Sequence, residues 1–131
     1  MNDYDAQQRA AQELELTRER VIREIEAQYT ADLKAGCPTP YGFNVKATVE
    51  DAVIWEKGLS VIPEGTESID VFGADDVTHT ITIEQARAVP AMQVAYFQHL
   101  SQKKWAMITA AKAGSATEAS LNALCWRTWG E

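Results

Sequence analysis

DVFGADDVTHTITIEQARAV, residues 70–89, changes period halfway. It starts in strand-like alternation and ends in helix-like spacing. Ile69 and Val71 share one face, and Asp70 and Phe72 share the other. Gly73 tolerates positive φ, and the carboxylates of Asp75 and Asp76 can accept from nearby main-chain amides, which is turn chemistry. Val77, His79 and Ile81 then fall on one side of a returning strand, so residues 67–82 read as a β-hairpin. Thr82 and Gln85 form a capping box, with Glu84 in the first turn, and a helix opens at Ile83. A corner in the chain accounts for these residues without catalysis.

Beyond the hairpin, the helix meets Pro90. Either it kinks there, or Pro90 is the first residue of a new helix. Met92, Ala95, Tyr96, His99, Leu100, Trp105, Ala106, Ile108 and Ala111 carry the pattern to about Ala113, and Gly114 ends it. Ser115 and Glu118 open a final helix bearing Ala119, Leu121, Leu124 and Cys125. Before the hairpin, GFNVKAT alternates, with Phe43, Val45 and Ala47 on one side of a short strand. TVEDAVIWEKG follows as a helix capped by Thr48 and Asp51 and closed by Gly58. Val49, Ala52, Val53 and Trp55 supply its expected buried side. Trp55 and Trp105 are expected in the core. Trp126 and Trp129 either clamp back on the core or present a contact patch.

Residues 3–35 hold neither Gly nor Pro and are rich in helix formers. Ala11, Leu14, Ile22, Ile25, Tyr29 and Leu33 form an apolar stripe that Arg18 interrupts. Repeats at eleven residues (Ala11, Ile22, Leu33; Leu14, Ile25) match a nearly straight helix. Glu19 and Arg23 stand at the favourable i,i+4 spacing on the charged face. So narrow a stripe needs a covering surface, either another copy in a bundle or the chain's own head. Gly36 and Pro38 stop the helix, and AGCPTPYG reads as a stiff linker. The expected division is residues 1–36 as an oligomerisation or docking helix and residues 37–131 as the head. The expected fold class is α+β: a long N-terminal amphipathic helix, then a compact head with a small antiparallel hairpin sheet and C-terminal helices.

The chain is 46% apolar and 24% charged, ordinary values for a globular protein. Its net charge of −7 would repel a nucleic-acid backbone and suits a basic partner. No apolar run approaches a membrane span, and the polar start MNDYDAQQRAAQ is not a signal peptide. Cys37 and Cys125 are expected as reduced thiols of a cytoplasmically made protein. His79 and His99 have no ligand partner at metal spacing, and no calcium-loop series surrounds Asp75 and Asp76. Nucleophile elbows, phosphate loops and dinucleotide fingerprints are absent. The residues therefore predict no enzyme, no metal and no cofactor.

YGFNVKATVED, the hairpin running into HTITIEQARAV, LSQKKWAMITAAKAG and ATEASLNAL give residues 33–125 a resemblance. The region resembles a small domain of unknown function from tailed phages and prophages, found beside or within tail-fibre and tail-fibre-assembly genes. These are packing and turn motifs, so no catalytic residues carry over. The helix of residues 3–35 and the Trp-rich tail are departures from that domain. The resemblance implies a tail-associated structural or tail-fibre assembly and attachment protein, in the virion tail or in host cytoplasm during assembly. Its expected partners are other phage tail proteins and further copies of itself, with no nucleic acid and no membrane. Leu14, Ile22, Ile25, Tyr29 and Leu33 are the expected contact residues, with Trp126 and Trp129 as a second patch. The alternative is a small acidic phage protein that binds and inhibits a host factor.

Overall fold

A computed structural model of the chain describes residues 2–130. The elements are α1 (Asp3–Ala35), β1 (Cys37–Pro38), β2 (Asn44–Val45), α2 (Val49–Ser60), β3 (Ser68–Phe72), β4 (Thr78–Thr82), α3 (Ile83–Lys112) and α4 (Glu118–Asn122). The fold is α+β, with a long N-terminal helix, two antiparallel two-stranded sheets and C-terminal helices. Compactness groups the chain differently from a division at residue 36. One unit is Thr30–Ser101; the other combines the chain up to Tyr29 with the chain from Gln102 onward.

In the Thr30–Ser101 unit, β3 and β4 form the hairpin, pairing Ile69 with Ile81 and Val71 with His79. That alternation puts Ile81 in the core and leaves Asp70, Phe72, Thr78 and Thr80 exposed. The Thr82–Gln85 capping box forms in both directions. In the turn, Val77 N–H donates to Asp75 Oδ1 at 3.0 Å. His79 Nε2 lies 3.1 Å from Asp75 Oδ2, and its ring stacks on Phe43 with centroids 4.0 Å apart. The histidine is thus spent on turn and core contacts.

AGCPTPYG is not a linker. Cys37 and Pro38 pair with Val45 and Asn44 as a second sheet, and Cys37 joins Phe43, Val45, Ala47, Ile81, Ala86 and Val89 in the core. Gly36, at φ +92°, makes this return possible. A Cβ there would lie 2.6 Å from both the Val45 carbonyl oxygen and Ala74 Cβ.

The Thr48–Asp51 capping box starts α2 as expected, but the helix runs through Gly58 to Ser60. Its apolar residues divide unexpectedly: Ala52 is buried, Trp55 and Leu59 pack on the core, and Val49, Val53 and Ile54 are exposed. Pro90 does not begin a new helix, because α3 is one helix with Pro90 buried inside it. Proline has no N–H, so the Ala86 carbonyl loses its helical donor. The indole Nε1–H of Trp55 donates to that carbonyl at 2.8 Å. Gln93 Nε2 ties the same helix to the Lys46 carbonyl at 2.8 Å.

In the other unit, Val21 and Ile25 of α1 are buried, as are Met107, Ile108 and Ala111 of α3, Leu121 of α4, and Trp126. Arg18 breaks the apolar stripe for a reason: its Nε donates to the Ala111 carbonyl at 2.8 Å, in the last turn of α3. Its guanidinium also pairs with Glu15. The i,i+4 pair that forms is Arg20–Glu24 at 3.0 Å, not Glu19–Arg23. Such an exposed pair contributes about 0.3–0.5 kcal/mol, against about 1.5–3 kcal/mol for burying a side chain such as Ile25, so packing rather than charge holds α1. Trp105, expected in the core, is 62% exposed. The last helix is shorter than expected and is capped by Thr117 with Ser120.

Two predictions follow from these contacts. Trp55→Phe leaves the Ala86 carbonyl without a donor and should cost about 1–3 kcal/mol in chemical denaturation. In a Pro90→Ala background, which restores an N–H to that carbonyl, the same change should cost clearly less; equal costs would refute the link. For Asp75, the Val77 N–H first, and then His79, hold the carboxyl below its usual range. A depressed folded-state pKa stabilises above the unfolded value of about 3.9 and is lost as pH falls through the folded one. The melting-temperature gap between wild type and Asp75→Ala should therefore be wider near pH 7 than below about pH 3.

Candidate docking groove

Residues of α2 and β3 border one groove, and among them Phe72 is exposed. Trp55, Gly58 and Leu59, with Ile62 just past the helix, form one wall. Ile69, Asp70, Val71 and Phe72 form the other, around a volume of about 440 Å³. Four consecutive residues of β3 line the depression, from both faces of the strand, as along a strand's edge. No β4 residue lines it.

That edge is open. β3 has β4 as its only sheet neighbour. Main-chain bonds from Ile83 N to Glu67 O, and from Gly73 N to Val77 O, fix which pairs are hydrogen-bonded. Alternation then assigns ladder bonds to Ile69/Ile81 and Val71/His79, and turns the N–H and C=O groups of Ser68, Asp70 and Phe72 outward.

A smaller cavity of about 240 Å³ shares Trp55 and Phe72 with the groove and adds Ile54, Asp51, Lys46 and Gln93. The Gln93 side chain is buried, and its Oε1 accepts no hydrogen bond. The amide orientation follows from the Nε2 bond, since the Lys46 carbonyl requires a donor. The setting is acidic: Thr30–Ser101 carries ten Asp and Glu against four Lys and Arg, so nearly all of the chain's net charge of −7 resides in this unit.

The contact residues expected from sequence lie elsewhere. Ile25 is buried, Leu14, Ile22, Tyr29 and Leu33 are half-buried, and none of the five is exposed. Leu33 packs on the core of the Thr30–Ser101 unit. Tyr29 meets the Trp126 ring edge to face at 6.4 Å. The Lys103 ammonium lies 4.2 Å from the centre of the Trp126 ring, and Lys104 lies 4.5 Å from that of Tyr29. Trp126 is therefore part of the packing and not a surface patch, while Trp129 remains 37% exposed. The large exposed apolar residues of α1 are Tyr4, near its start, and Leu16, toward its middle.

Periodicity names Gly58 only as a helix stop and Phe72 only by its strand face, and it gives no contact role to Ile54 or Gln93 in the cavity beside the groove. Phe72 had a signal, since it falls on the face opposite Ile69 and Val71. So did α2, whose apolar residues surround too much of the helix to be buried by one core.

Among the described residues, no three His, Cys, Asp or Glu side chains could together hold a metal ion. No helix among them is long and apolar enough to cross a membrane. Compared with protein-family models, curated proteins and solved structures, the chain matches none.

The two thiols differ sharply. Burial pushes the Cys37 pKa up. Cys125 is exposed, and the Thr128 side chain, followed by main-chain N–H groups of Arg127 and Thr128, lowers its pKa. A thiol reagent should modify Cys125 in the native protein and reach Cys37 only on unfolding, as peptide mass mapping would read.

Proposed function

We propose that the protein acts through protein–protein contacts, as a tail-associated structural or tail-fibre assembly and attachment protein of a tailed phage. The carrying observation is the apolar lining of the α2/β3 groove and of the smaller cavity beside it, to which Ile54 belongs. Ile54 is 67% exposed and Phe72 66% exposed, on a unit whose core is already filled by other residues. Large apolar side chains clustered at an open groove favour a partner surface over water. The tail assignment draws its support from the resemblance of residues 33–125 to the phage domain. The proposed contacts do not use the seam of residues 22–33, where Ile25 is buried and Ile22, Tyr29 and Leu33 are half-buried.

The acidity of Thr30–Ser101 favours a second reading, an inhibitor that occupies the basic cleft of a host factor.

Tagged full-length chain, expressed during phage growth, should retain tail or tail-fibre-assembly proteins. The double variant Ile54→Asp/Phe72→Asp should lose them while keeping the wild-type circular dichroism spectrum. Retention of a host nucleic-acid-handling enzyme, with loss of that enzyme's activity, would replace the first reading by the second.

A further inference from the structure

We infer that the α2/β3 groove binds an extended, basic segment of a partner polypeptide, which adds to the free edge of β3 as a third strand. The inference rests on the protein-contact reading above and specifies its site and the chemistry of its partner.

Three observations converge. The outward N–H and C=O groups of Ser68, Asp70 and Phe72 can pair with an incoming backbone at strand spacing. The groove beside them is walled by Trp55, Leu59 and Ile62, so alternate side chains of that strand meet apolar surface. Gly58 widens it, because a Cβ at this position would meet no atom within 4 Å. The unit that carries the groove is acidic, with ten Asp and Glu against four Lys and Arg, which favours a basic segment. A second copy of this chain fits less well, because two such units would bring like charge together.

The probe is a fluorescein-labelled peptide of about ten residues alternating valine with lysine, long enough to span the five residues of β3. Fluorescence anisotropy should show binding to the full chain, and amide NMR shifts should centre on Ser68, Asp70 and Phe72. Methylating alternate peptide nitrogens on the edge-facing side should abolish binding, and exchanging lysine for glutamate should weaken it by about tenfold or more. Gly58→Leu, whose Cβ meets no atom within 4 Å, adds bulk at the groove wall and should also weaken it by about tenfold or more. Gly58→Ala, which favours the helix, serves as the folded control. Equal binding of the methylated peptide, equal binding of the glutamate peptide, or shifts centred away from β3 would overturn the inference. So would dimerisation of the free chain through β3.

The two proposals fail separately. If Gly58→Leu abolishes peptide binding but still retains tail proteins, the groove inference falls and the function stands. If the peptide binds at β3 but no tail protein is retained by wild type, the function falls and the groove stands.

Discussion

The Trp55 indole bonded to the Ala86 carbonyl is the contact on which the Thr30–Ser101 unit turns. Pro90 removes the donor that would have satisfied this carbonyl inside α3. A buried main-chain oxygen without a partner is costly, and the nearest substitute comes from another helix. A local defect in one helix thereby becomes a tertiary bond. It ties α2 to α3 with Ala52 buried, Ile54 exposed and Gly58 at the groove wall.

The same logic recurs where the sequence looks flawed. Arg18 spoils an otherwise apolar stripe, yet it supplies a donor to the last turn of α3. Gln93 sits at a core position, yet its amide N–H holds the Lys46 carbonyl. Each polar intrusion satisfies a main-chain oxygen that helix geometry or strand termination leaves open. Only the other end of Gln93, its Oε1, remains unmatched, and it lies beside the groove.

The histidine with the closest carboxylate partner, His79, is committed to a turn and to a stacked ring. The groove combines apolar walls with outward main-chain groups of β3 on an acidic unit, the features from which the proposed contact is argued. That is why the functional reading rests on surfaces.

How far the sequence reached can be judged from particular elements. Local signals identified the hairpin, the Thr48 and Thr82 caps, and α1 as far as Gly36, because each depends on residues within a turn or two of one another. Phe43, Val45 and Ala47 were correctly placed on one buried face by alternation alone. Tertiary structure decided what distant residues do to each other. It brought Cys37 beside Val45, gave Ile25 and Trp126 cover within their own unit, and left the outer side of α2 unburied. Trp55 reaches across 31 residues and Arg18 across 93, beyond any periodic signal. The periodicity of a chain says which side of an element is greasy; only packing decides whether the chain itself has enough surface to cover it, and at α2 and β3 it does not.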